Sequence, residues 1–173
     1  MTYLYILVAI VLRILPHPWN MTPIGAMFLF SGATFKSKRL SLIVPLGALL
    51  VSDYLVVKLL YHGVYSWIMT SPWPGFLIVA MIGWRLGKTI TWQRVLGASL
   101  ASSVAFFIVS NFTLWLTGEL YPLTLSGLGI CFAEAVPFFH NTVLGDLVYA
   151  AVFFGSHEFV RRRKQSVVST PVE

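Results

Sequence analysis

The chain has 173 residues, of which 57% are hydrophobic, 15% aromatic and only 10% charged, with a mean hydropathy of +0.80. A soluble domain carries about 25% charged residues, so this surface cannot be clothed for water and a lipid bilayer is the expected solvent. The net charge of +6 carries no nucleic-acid signal, because its placement matters more than its sum, and a single cysteine, Cys131, excludes an internal disulfide or a multi-cysteine zinc site.

Hydrophobic segments are expected at roughly 2–15, 21–35, 40–60, 65–84, 94–117 and 142–160. They describe an all-α integral membrane protein, a single six-helix transmembrane domain over 1–160 followed by a short basic tail over 161–173. A helix rises about 1.5 Å per residue, so about 20 residues cross the roughly 30 Å hydrocarbon layer. The last four segments meet that length. The first two are short and need their flanks, or a thinned bilayer, to span. The first has neither a basic n-region nor a small-residue cleavage site, so it is not read as a secretory signal.

Between the first two segments lies RILPHPWNMTPIGAM, residues 13–27, the densest polar cluster of an oily N-terminal region. The third segment contains Asp53 and Lys58. In the fifth, RVLGASLASSVAFFIVSNF, Gly97, Ala101 and Ala105 share a four-residue spacing, as do Ala98 and Ser102. Small residues so placed allow close helix approach, within the chain or as a docking groove for a partner membrane protein. The stretch YPLTLSGLGICFAEAVPFFHNT, residues 121–142, is apolar enough to suggest a seventh span but carries Glu134 and Pro137. It is expected to be an outer lid or re-entrant segment between helices five and six, since irregular backbone at membrane depth must be buried in protein or line a cavity. Asp146 then falls at the start of the sixth helix, where a carboxylate can cap the N-terminus.

Lys36, Lys38 and Arg39, then Arg85, Lys88 and Arg94, then Arg161, Arg162, Arg163 and Lys164 place ten of the 12 basic residues on one side of a six-span topology. Basic residues mark the cytoplasmic face, so both termini are expected inside. The polar groups then gather at the outer end: His17 and Asn20 in the first loop, Asp53 in the outer half of the third helix, Asn111 and Trp115 one turn apart in the fifth. Tyr121, His140 and Asn141 bound the lid, and Asp146 follows. Intramembrane carboxylates are costly enough to need a role or a partner. Asp53 and Asp146 therefore have two readings, as acceptors for a ligand or as structural partners of Arg13 and Lys58. His17 and His140 are either ligand groups or interfacial turn residues. No Walker A loop, HExxH, GxSxG or nucleophile–base pair is present, so neither an enzyme nor a metal site is expected.

Arg13, Pro16, His17, Pro18, Asn20, Thr22, Pro23, Ile24, Gly25, Ala26, Met27, Leu29, Phe30 and Gly32 match the pattern R-x-x-P-H-P-x-N-x-T-P-I-G-A-M-x-L-F-x-G. With the later VPLGALLVSDYL, SNFTLWLTGELYPLTLSGL and VPFFHNTVLGDLVYAA, the chain resembles a family of small bacterial integral membrane proteins assigned to transport. More distantly it is similar to the S-components, the substrate-binding subunits of energy-coupling-factor vitamin transporters. That resemblance implies a bacterial inner-membrane protein that captures a micronutrient on the outer side, where the polar groups gathered at the outer end, His17, Asn20, Asp53, Asn111, Trp115, Tyr121, His140, Asn141 and Asp146, are the expected pocket. It also implies a transmembrane coupling subunit with ATPases as partner. The first segment, LYILVAIVLRIL, has only Ala9 where S-components commonly show an AxxxA docking motif, so a solitary or differently partnered carrier is the other reading. A vitamin-sized ring system would suit the polar and aromatic groups, a corrinoid such as cobalamin included, its cobalt approached by His17 or His140. The alternative is a non-transporting accessory protein that docks a partner through the small-residue face of the fifth helix.

Overall fold

In the computed structural model, which describes residues 2–15, 18–59, 62–63, 66–87 and 90–168, six α-helices follow one another. They are α1 (Thr2–Ile14), α2 (Ile24–Thr34), α3 (Lys38–Leu59), α4 (Trp73–Leu86), α5 (Trp92–Leu116) and α6 (Leu125–Val168), with a 3-10 turn at Trp67–Thr70 before α4.

The second helix organises the rest. Its residues Ile24 to Gly32 are all buried, and it packs on α1, α3, α4, α5 and α6. A helix that is apolar on every side belongs in a core. Its 11 residues reach only about 16 Å, and its shortness needs no thinning of a bilayer because protein, not lipid, surrounds it. Close approach to α4 depends on two glycines: a β-carbon at Gly32 would strike the Ala80 carbonyl, and one at Gly83 would strike the Leu29 carbonyl. Phe76 of α4 stacks between Phe28 of α2 (5.2 Å between ring centroids) and Phe106 of α5 (4.5 Å). On the opposite flank Phe30 meets Tyr5 of α1 and Phe153 and Phe154 of α6.

The outward faces invert the soluble pattern. Leu7 and Val11 of α1, Ile43 and Val51 of α3 and Leu96 and Leu100 of α5 are exposed, while Ser99, Ser102, Ser103, Asp53 and Asp146 are buried. Among the described residues, three helices are long and apolar enough to cross a membrane: α3, α5 and the Leu125–Arg163 portion of α6. This points to a membrane protein.

Two expectations need correcting. The fourth segment is not a continuous span, because Pro72 and Pro74 set the start of a 14-residue helix after a 3-10 turn. Nor is 121–142 a lid. From Leu125 onward it is the first part of α6, which runs 44 residues through Pro137 without interruption. Residues 121–124 form the turn between α5 and α6, and the two helices lie antiparallel against each other. Phe107 meets Phe132 and Phe139, Cys131 Sγ reaches the Asn111 carbonyl, and Gly155 lies beside the Trp92 ring. Such packing holds a helix across a proline that isolated sequence reads as a break.

Basic side chains collect at one end of the bundle. There Lys38 lies over the Trp84 ring, the Trp84 Nε1–H donates to Ser41 Oγ (2.9 Å), and Arg94 donates to the Arg85 carbonyl (2.7 Å). Arg13, Asn20, Asp53 and the α5–α6 turn occupy the other end.

Candidate functional site

At that other end two adjoining cavities open among the helices. The larger, about 330 Å³, is walled by Asn20, Phe106, Asn111, Tyr121, Glu134 and Phe138, among others. The smaller, about 160 Å³, reaches between α1, α2 and α6 to Arg13, Gly25 and Asp146. Asn20, Pro72, Phe106 and Thr142 line both, so they form two lobes of one site.

Asn20 sits where it does because the chain turns tightly: Met21 N–H donates to the Pro18 carbonyl (3.0 Å) and Asn20 adopts φ 62°. Asparagine tolerates this left-handed backbone better than other side-chain-bearing residues. The Asn141 amide of α6 donates to the Trp19 carbonyl (2.9 Å) and pins the turn over the cavities.

The two buried aspartates have different fates. Asp53 Oδ1 accepts from Arg13 Nη1 at 2.5 Å, while its Oδ2 accepts from Trp73 Nε1 at 3.4 Å. The same Arg13 nitrogen donates to Ser52 Oγ at 2.7 Å. Asp53 is therefore the inner half of an ion pair, and Arg13, not Asp53, faces the smaller lobe. Asp146 belongs to no ion pair among the described residues; its Oδ2 accepts from Ser103 Oγ (2.7 Å). It lies about six turns into α6, so it caps no helix start. Its Oδ1 rests on Gly25, where any β-carbon would collide with it.

In the larger lobe Asn111 Nδ2 donates to the Phe107 carbonyl (2.7 Å) and Ser110 Oγ to the Phe106 carbonyl (2.6 Å), one turn back along α5. The Tyr121 hydroxyl donates to Glu134 Oε2 (2.7 Å). That hydrogen bond to the carboxylate holds the phenolic proton and pushes the tyrosine pKa up to about 12.

Of the residues singled out from sequence, Asn20, Asn111, Tyr121 and Asp146 line the cavities. Asp53 acts one layer behind, through Arg13. Trp115 donates to the Pro122 carbonyl (3.0 Å) and fastens the α5–α6 turn, and Asn141 fastens the Asn20 turn. Neither borders a cavity, and His140 is exposed and borders neither. His17 lies outside the described residues. The proposed docking face divides: Ser102 is buried and Ala98 packs on the core, whereas Gly97 and Ala101 are exposed and Ala105 is half-buried. Sequence reasoning passed over Ser103, Ser110 and the wall of phenylalanines. Ser99, Ser103 and Ser110 recur at helical spacing on one face of α5, which is the signal that could have found them.

No curated protein and no solved structure matches the chain. A family model matches residues 1–168, almost its whole length, and the chain belongs to that family, a family of unknown function (DUF6580).

Proposed function

We propose that this chain is a multi-pass protein of the bacterial inner membrane that captures a small molecule on the outer side and carries it inward, in the manner of an S-component. The observation that carries the reading is the two-lobed cavity with polar and aromatic walls, set at the end of the bundle away from the basic residues. Small-molecule sites are concave, mostly apolar and furnished with a few convergent polar groups. The positive-inside rule turns the basic end toward the cytoplasm and the cavities outward. A volume of about 330 Å³ is at the small end for such sites. It favours a single- or double-ring micronutrient, and a corrinoid would require the lobes to widen. Transport needs an energy source, met by a membrane coupling subunit with ATPases or by an ion gradient.

Native mass spectrometry of freshly purified protein tests the reading. One small molecule bound per chain, lost in Asn111→Leu, is the expected result. A wild-type protein that neither carries nor takes up any solute after reconstitution would overturn it.

The second reading, a non-transporting accessory protein, draws on Gly97: no atom lies within 4 Å of where its β-carbon would stand, so that face of α5 has room for a partner helix. Cross-linking from Ala101→Cys to one defined membrane protein, with no solute bound, would favour it.

A further inference from the structure

Resting on the capture reading, the inference concerns the chemistry of the captured molecule. Among the described residues, the charges that line the two lobes are Arg13 from α1 and Glu134 and Asp146 from α6. The lining residues from α2, α4 and α5 carry none. Arg13 is already neutralised by Asp53 at 2.5 Å. What remains is negative. Asp146 is 5% exposed, lines the smaller lobe, and shares that lobe with Arg13 without forming a salt bridge to it. Among the described residues its Oδ2 is satisfied by Ser103, and no donor reaches its Oδ1.

Hydrogen-bonding capacity points the same way. Several donors around the lobes are spent within the protein: Ser103 on Asp146, Ser110 and one Asn111 N–H on carbonyls of α5, and Tyr121 on Glu134. What they leave open are acceptors, namely Asn111 Oδ1, the second oxygen of Glu134 and Asp146 Oδ1. Of these Asp146 Oδ1 belongs to a buried side chain, and a buried acceptor left without a donor is costly, so the ligand that fits brings an N–H or O–H group to it. Phe76 and Phe106 wall the smaller lobe, and Phe106, Phe107, Phe138 and Phe139 the larger, and aromatic faces attract cations.

We propose that the two-lobed cavity takes a cationic ligand, a one- or two-ring molecule bearing a protonated N–H nitrogen, with Asp146 as its counter-ion and the phenylalanine wall holding its ring. The unspent guanidinium N–H groups of Arg13 are then left for a neutral acceptor on the same molecule, not for a second charge.

The test is isothermal titration of the purified full-length protein with a matched panel of one- and two-ring amines, alcohols and carboxylates at neutral pH. 2-Phenylethylamine, 2-phenylethanol and 3-phenylpropionate form its smallest set. Amines should bind in preference to both other classes. Asp146→Asn, which preserves the shape and the acceptor for Ser103, should weaken them about 30-fold or more, as expected for removing one partner of a buried charge pair. Phe106→Leu, an apolar replacement, should weaken the amine more than the alcohol and so supplies a second arm if Asp146→Asn does not fold. If carboxylates or alcohols bind as well as amines, or if Asp146→Asn leaves amine binding unchanged, the inference is overturned while the capture reading stands. If no member of the panel binds, the inference is overturned, and the capture reading is decided separately by native mass spectrometry of the wild-type protein.

Discussion

Asp146 Oδ1 lies against Gly25, at the first turn of α2, so closely that the glycine's missing side chain is the space the carboxylate occupies. This contact fixes α6 to the central helix and presents the carboxylate to the smaller lobe. Gly25→Ala is therefore expected to push the carboxylate aside and separate α2 from α6, at a cost of about 1–3 kcal/mol for overpacking a filled site. Asp146→Ala should remove the obstacle, so that the double variant is more stable than the sum of the two single effects predicts. The coupling should amount to about 0.5–3 kcal/mol. Reversible unfolding of the four proteins in mixed micelles measures it, and strict additivity would show that the two residues do not press on each other.

Arg13 and Asp53 join α1 to α3, with the side chain of Asp53 5% exposed and that of Arg13 21%. Removing one member strands the other away from water. Asp53→Leu and Arg13→Leu should each lower stability by up to about 3–5 kcal/mol, whereas the double leucine variant should regain most of that loss because no uncompensated charge remains. Arg13 is partly open to the smaller lobe, so its stranding is the milder of the two. The same unfolding assay distinguishes this pattern from a simple sum.

Why some of this was legible in sequence and some was not follows from what each signal depends on. Arg13 and Asp53 stand out as lone charges in apolar runs, and their pairing is the ordinary solution to that cost. The ends of α3 and α5 lie within two residues of expectation, marked by basic residues and tryptophan where the apolar runs stop. The burial of α2 was not legible, because hydropathy cannot distinguish a face turned to lipid from one turned to protein. Segment 121–142 departs from expectation for a related reason. Pro137, His140 and Asn141 look like a break when only local preference is weighed, yet α5 lies alongside and carries the helix through. Asp146, a helix start by local preference alone, therefore lies mid-helix, where it meets Ser103. Ser103 is one small residue among many in the fifth helix, where a serine that packs and a serine whose hydroxyl donates leave the same mark in the sequence.

Tyr121 and Glu134 bridge the α5–α6 turn to the first part of α6 through a 2.7 Å hydrogen bond. The tyrosine pKa is raised from its ordinary value of 10.0 to about 12 by that bond, because ionisation would set a phenolate against a carboxylate. A group with a raised folded-state pKa contributes stability that is complete below its unfolded value and is lost as pH climbs to the folded one. The tether should therefore hold through neutral pH and fail between about pH 10 and 12. In an ultraviolet titration of tyrosinate, Tyr121 should ionise late, and Glu134→Gln should return it toward the ordinary range. An unchanged titration in that variant would dissociate the shift from Glu134.

Orientation decides which way the cavities open, and it rests on the one-sided placement of Lys and Arg. Glu119 lies in the exposed turn after α5, at the cavity end, and Arg161 lies near the far end of α6, its side chain 60% exposed. The buried Cys131 can be replaced by serine to give a background without thiols. In that background Glu119→Cys should react with a membrane-impermeant maleimide added to intact cells. Arg161→Cys should react only after the cells are opened. The reverse pattern would place the cavities on the cytoplasmic side and turn an uptake protein into one that takes its ligand from within. Labelling of both positions from one side would mean that α6 does not cross the membrane.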